Sequence, residues 1–156
     1  MATIKQAYKP FYAFVATGIS AIMLGGFVSA FTAKQPSTFA MWTSAYLVLV
    51  AGVVQVFFGL TLSRLSPNLH ARFIYSLCAL FGAANVLMIA GSAIKYSGLG
   101  WNMPVTAAGS GAFVVALVLL GACIYSTRWS WLRVWTYVVI IVLGISVPIG
   151  LLFASQ

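Results

Sequence analysis

The sequence predicts an all-α integral membrane bundle of five transmembrane helices, and three observations support that prediction. The chain is 63% hydrophobic and only 5% charged, whereas about a quarter of the residues in a soluble domain are charged. None of its 156 residues is Asp or Glu. Five apolar stretches each provide the roughly 20 residues that a helix needs to cross a bilayer. They fill a single predicted transmembrane domain, 1–156, at approximately 11–33, 42–63, 71–94, 105–125 and 134–154.

The basic residues predict the orientation of these helices, because Lys and Arg are enriched in cytoplasmic loops near helix ends. Six of the eight basic residues lie on one side of the predicted bundle: Lys5, Lys9, Arg64, Arg72, Arg128 and Arg133. The opposite side has only Lys34 and Lys95. We therefore expect a cytoplasmic N-terminus and an external C-terminus, in a multi-pass protein of a bacterial inner (plasma) membrane.

The first apolar stretch is long enough to span a membrane, so we interpret it as a helix and not as a cleaved signal peptide. Small or hydroxyl residues occur at every fourth position and make one slowly winding stripe. Such a stripe lets another helix approach closely, which favours association in lipid. We expect either internal packing or contact with another subunit at these residues: Ala13, Thr17, Ala21, Gly25, Ser29 and Ala33.

The second and third helices each carry one amide side chain within the apolar region. Gln55 shares a face with Gly52, and Asn85 shares one with Gly82, so each amide accompanies a small residue suited to a helix crossing. An interhelical hydrogen bond is the simpler interpretation. Their depths differ by about 7 Å, so a direct bond between them needs a staggered hairpin or water. The alternative is a polar path lined by Gln55, Asn85 and Ser92.

The loop before the fifth helix reads Arg-Trp-Ser-Trp-Leu-Arg at 128–133. Its simplest interpretation is an interfacial turn, with guanidinium groups on lipid phosphates and indoles at headgroup depth. Docking to a partner protein is the alternative, because protein interfaces favour Trp and Arg. The candidate residues for lipid headgroup or partner docking are Arg128, Trp129, Trp131 and Arg133. Within the fifth helix, Gly144 and Pro148 predict a weakened or kinked segment.

The composition excludes several kinds of catalytic site. Carboxylate dyads, triads that contain Asp, and magnesium sites all need an anionic oxygen that this chain lacks. Cys78, Cys123 and His70 remain as candidates for a soft metal site or a reactive group, but they have no ligand spacing. We therefore predict no catalytic residue, no metal site and no cofactor, leave cofactor-binding residues unassigned, and expect bound lipid.

These observations favour a non-catalytic accessory or structural subunit of a larger membrane complex. The net charge of +8 suits acidic partner subunits and anionic lipids, and no nucleic acid is expected. The alternative is a small homo-oligomeric channel or facilitator for an anionic or neutral solute, with Arg64, Arg72 and Arg128 at its mouth. Enzyme activity is a third interpretation, which rests only on the two cysteines and the histidine.

Overall fold

The computed structural model describes residues 10–35, 37–98, 102–125, 127 and 129–154, with side chains described as far as Ser146. Every regular element in these ranges is helical, which confirms the all-α prediction. The helices are α1 (Phe11–Thr32), α2 (Thr38–Leu65), α3 (Ala71–Tyr96), α4 (Asn102–Tyr125) and α5 (Trp131–Ala154).

Helices α1 to α4 are each long and apolar enough to cross a membrane. Helix α5 has 24 residues, but the apolar part whose side chains are described, Trp131–Ser146, is shorter than a full span. An all-helical chain with four such helices is consistent with a multi-pass membrane protein.

Two helices begin earlier than the apolar pattern predicts, because polar and proline residues start them. The Ser37 hydroxyl accepts a hydrogen bond of 3.1 Å from the Ala40 amide, so α2 begins at Thr38 and not at 42. Helix α4 begins at Asn102 and not at 105. Pro104 therefore lies in the first turn, where a backbone N–H has no partner within the helix.

Helix α5 also begins early, at Trp131 and not at 134. The Ser130 hydroxyl accepts a hydrogen bond of 3.3 Å from the Arg133 amide and caps the helix. Its backbone stays helical through Gly144 and Pro148 to its end. The expected weakening at these two residues does not interrupt the helix.

Helix α2 contains a π-helical segment that the sequence does not predict. Its α-helical parts are Thr38–Tyr46 and Gln55–Leu65, and the π-helix covers Leu47–Val54 between them. In a π-helix each amide bonds to the carbonyl five residues earlier, so the turn is wider than in an α-helix. The segment therefore changes which residues after Val54 share a face with those before Leu47.

By their internal contacts, the residues divide into two compact units, Met1–Ser63 and Arg64–Gln156. In the first unit α1 packs antiparallel against α2, and in the second α3 packs antiparallel against α4. Helix α5 packs on α4, where the Tyr137 hydroxyl donates a hydrogen bond of 3.2 Å to the Gly121 carbonyl. Each unit is thus built on one helical hairpin.

Candidate functional site

Glycines create the close contact between α1 and α2 in the first unit. A Cβ atom at Gly18 would lie 2.7 Å from Val56 Cγ2 and 2.8 Å from the Gly52 carbonyl oxygen. A Cβ at Gly25 would lie 2.7 Å from Val48 Cγ2. Real Cβ atoms do not approach other atoms so closely, so only glycine allows this separation of the two helices.

The structure places the six predicted stripe residues on different sides of α1. Gly25 is buried; Ala13 and Ala21 are half-buried; Thr17, Ser29 and Ala33 are exposed. Four residues turn a helix by about 40° beyond one full turn, so five such steps rotate the stripe by about 200°. A seven-residue step drifts by only about 20° and stays on one side.

Gly18 is therefore the contact residue that the four-residue pattern missed, and its spacing of seven from Gly25 was the signal that could have found it. Gly52 and Gly59 repeat the same spacing on α2. A Cβ at Gly59 would lie 2.7 Å from Phe14 Cβ, so this glycine also contacts α1. Contact of the stripe with another subunit stays a prediction.

The amide of Gln55 bonds to a hydroxyl within its own unit. Gln55 is only 4% exposed, and its Nε2 donates a hydrogen bond of 2.7 Å to Thr17 Oγ1. The Thr17 hydroxyl donates in turn to the Ala13 carbonyl at 2.8 Å. A second cross-helix bond joins the Ser44 hydroxyl to the Gly25 carbonyl at 2.9 Å. These bonds match the interhelical interpretation of Gln55, with Thr17 as its partner.

A groove of about 440 Å³ opens between α1 and the first part of α2. Its walls carry small and hydroxyl side chains, which leave room between the two helices. They include Ser29, Thr32, Ala33, Ala40, Ser44 and Ala45. The exposed end of the predicted stripe thus borders an open groove.

The second unit places Asn85 and Ser92 on α3, beside a tight contact with α4. Asn85 is 5% exposed, and Ser92 is half-buried. A Cβ at Gly109 of α4 would lie 2.9 Å from Leu87 Cβ. The Ser110 hydroxyl lies 3.1 Å from the sulfur of Met88. Two residues of the predicted polar path therefore lie on the helix that makes this contact, Asn85 buried and Ser92 half-buried.

The loop before α5 arranges aromatic rings around Arg133. The guanidinium carbon of Arg133 lies 5.9 Å from the ring centres of Tyr125 and Trp129, and 5.7 Å from that of Tyr137. Its Nη1 donates a hydrogen bond of 2.6 Å to the Thr127 carbonyl. We call this cluster of Arg133, the three rings and the Thr127 carbonyl the Arg133 cage.

The other predicted docking residues lie around the Arg133 cage or outside the described part. Trp129 belongs to the cage and is 81% exposed, and Trp131 is 74% exposed. The ring of Trp131 makes an edge contact with Trp135 at 5.8 Å. Arg128 lies outside the described residues. Sequence reasoning found Arg133 and Trp129 but missed Tyr125 and Tyr137.

The candidate reactive residues are not grouped in the described ranges. Cys78 is buried on α3, and Cys123 is half-buried near the end of α4; both are free thiols. The backbone carbonyl of Cys123 accepts a hydrogen bond of 3.0 Å from Ser66. His70 is exposed just before α3. Among the described residues, no three metal-ligating side chains lie together.

Comparisons with protein-family models, with curated proteins and with solved structures give no match for this chain. The class of protein therefore rests on the fold and composition alone. Four apolar helices of spanning length are consistent with a multi-pass membrane protein.

Proposed function

We propose that this chain is a non-catalytic accessory or structural subunit of a larger membrane protein complex. The observation that carries the proposal is that polar groups on α1 and α2 bond to each other across the helix contact. Gln55 bonds to Thr17, and Ser44 bonds to the Gly25 carbonyl. A solute path needs donors that face open space, whereas Gln55 is only 4% exposed and both donors are engaged in bonds between the helices.

The outer face of α1 supports contact with another membrane subunit. Only 22% of the apolar window of α1 is buried. Tyr12, Met23 and Phe27 are 62%, 58% and 55% exposed, and the small residues Ala16 and Ser20 lie exposed between them. Small residues within an apolar face allow a second helix to approach closely.

The charge balance supports partners that supply acidic groups. The chain has eight basic residues and no acidic one. Carboxylates of neighbouring subunits and anionic lipids would neutralise this charge, and complementary charges favour specific assembly.

Purification in a mild detergent followed by native mass spectrometry tests the accessory role. We expect a partner protein at a whole-number ratio to this chain. The variants Ala16→Leu and Ser20→Leu should release that partner and leave the isolated chain folded, because each places a bulky side chain on the outer face of α1. The matched control Ala83→Leu alters an exposed position of α3 and should retain the partner. A homo-oligomer without a stoichiometric partner would contradict the proposal.

We further propose that all five helices span a bacterial inner membrane, with the N-terminus in the cytoplasm. The described basic residues support this orientation, because Arg64, Arg72 and Arg133 lie at the opposite helix ends from Lys34 and Lys95. Single cysteines replacing Arg64 or Lys34, in a background without native cysteines, test it in intact cells. A membrane-impermeant maleimide should label the position of Lys34 and not that of Arg64. The reverse pattern would invert the orientation.

A further inference from the structure

Arg133 is a cation held in place by groups of its own unit. Three aromatic rings surround its guanidinium group, and the Thr127 carbonyl accepts from Nη1. An exposed arginine at a membrane surface normally loses side-chain entropy when it binds an anion. The Arg133 cage has already restricted that freedom, so the guanidinium is preorganised for a ligand.

The guanidinium of Arg133 retains hydrogen-bonding capacity and an unneutralised charge. It carries five N–H donors, and the Thr127 carbonyl is its one acceptor in the described part of the chain. The Nε atom is buried and has no hydrogen-bond partner, and the residue as a whole is only half-buried. Since the chain has no Asp or Glu, no side-chain carboxylate of its own neutralises this charge.

The position of Arg133 on its helix strengthens the attraction for an anion. Arg133 lies in the first turn of α5, and this turn contains no acidic residue. The N-terminal end of a helix carries a partial positive charge, which favours anions and disfavours a lone cation. An anion beside Arg133 would interact favourably with the guanidinium charge and with the partial positive charge of the helix end.

The surroundings of the Arg133 cage indicate which class of anion would bind there. The cage lies between the end of α4, a helix of spanning length, and the start of α5. Trp129 of the cage is 81% exposed, and Trp131 and Trp135 in the first turns of α5 are 74% and 48% exposed. Exposed indoles at a helix end prefer the depth of the lipid headgroups, where the available anions are phosphates.

We propose that the Arg133 cage binds the phosphate of an anionic phospholipid. Guanidinium groups match phosphate oxygens in geometry and charge. A choline headgroup would bring its own cation beside Arg133, so a lipid such as phosphatidylglycerol should bind more tightly than phosphatidylcholine. The purified chain alone should show this binding, so a failure here is distinguishable from a failure of the accessory role.

Quenching of tryptophan fluorescence by brominated lipids tests the proposal. The variant Trp42→Phe/Trp101→Phe keeps only the three tryptophans near the Arg133 cage as reporters. In vesicles that contain this variant, brominated phosphatidylglycerol should bind about fivefold more tightly than brominated phosphatidylcholine, as expected for one basic group at a membrane surface. The ratio of these two affinities is the quantity measured. Arg133→Gln in this background should reduce the ratio to about one. Arg64→Gln, which removes an exposed arginine at the end of α2, should leave it unchanged.

Four results would overturn the lipid site. The first is equal affinity for the two brominated lipids in the Trp42→Phe/Trp101→Phe variant, in which Arg133 is intact. The second is a ratio that Arg133→Gln leaves unchanged. If the same variant also loses the partner protein during purification in a mild detergent, Arg133 contacts a partner's carboxylate and not a lipid. The third is loss of the preference on adding inorganic phosphate at constant ionic strength, which would indicate a free-phosphate site. If Arg133→Gln does not fold, Arg133→Lys replaces it: lysine keeps the charge but not the guanidinium fork, so the ratio should fall below that of the reporter variant. An unchanged ratio would likewise contradict the site, because net charge alone would then select the lipid.

Discussion

Replacing Gly25 by leucine tests the close contact between α1 and α2. A Cβ at Gly25 would lie 2.7 Å from Val48 Cγ2, 3.0 Å from the Ser44 carbonyl oxygen and 3.1 Å from Leu47 Cβ. The Val48 methyl group can rotate away, but the Ser44 carbonyl belongs to the helix backbone and cannot. The two helices must therefore separate, which also weakens the bond of 2.9 Å from the Ser44 hydroxyl to the Gly25 carbonyl.

We expect Gly25→Leu to lower the free energy of unfolding by about 1 to 3 kcal/mol. The lost interhelical hydrogen bond adds about 0.6 kcal/mol to this effect. Leucine is a better helix former than glycine, and this difference offsets up to about 1 kcal/mol of the loss in unfolding free energy. Unfolding followed by circular dichroism, as a denaturing detergent replaces a mild one, measures the difference.

The neighbouring Gly26 provides the matched control for this measurement. A Cβ at Gly26 meets no atom of another helix within 4 Å, so Gly26→Leu gains helix propensity without a clash. It should be as stable as the parent protein or slightly more stable. Equal stability of the two leucine variants would refute the close approach of α1 and α2 at Gly25. Release of a partner by Gly25→Leu without loss of monomer stability would instead place another subunit at this position.

Three further results are expected. In a double-mutant cycle, Gln55→Leu and Thr17→Val should couple by about 0.6 kcal/mol because their side chains share a hydrogen bond; additive effects on unfolding would contradict that bond. Ser37→Ala should destabilise the start of α2 by about 1 kcal/mol through loss of its cap, measured as faster amide exchange there, and unchanged exchange would disprove the cap. Half-buried Cys123 should react with a maleimide faster than buried Cys78, measured by mass spectrometry, and equal rates would contradict the burial difference.

The two proposals assign different partners to two surfaces of this chain: a protein to the outer face of α1 and a lipid to the Arg133 cage. The outer face is apolar with exposed small residues, a composition that favours another helix. The Arg133 cage offers a fixed cation among exposed indoles, a combination that favours a headgroup phosphate. Variants at Ala16 and at Arg133 should therefore have separate effects, the first on the protein partner and the second on lipid preference.

The sequence predicted helix positions well and helix starts less well. The apolar stretches locate all five helices because burial in lipid depends on length and hydropathy, which are local properties of the chain. The starts of α2 and α5 depend on Ser37 and Ser130, whose hydroxyls accept backbone hydrogen bonds outside the apolar pattern. Reading cap residues together with hydropathy would have recovered these two starts.

The sequence by itself determined the all-helical class, the apolar spans and the excess of basic charge, and it singled out Gly25, Gln55 and Arg133 as candidates. Only the tertiary structure decided that Gly18, like Gly25, packs against α2, that Gln55 bonds to Thr17, and that Tyr125 and Tyr137 lie around Arg133. It also revealed the π-helix at Leu47–Val54. The physical reason is that hydropathy and helix propensity act through neighbours along the chain. Partner choice depends instead on helix rotation and crossing, which are set by contacts between residues distant in sequence.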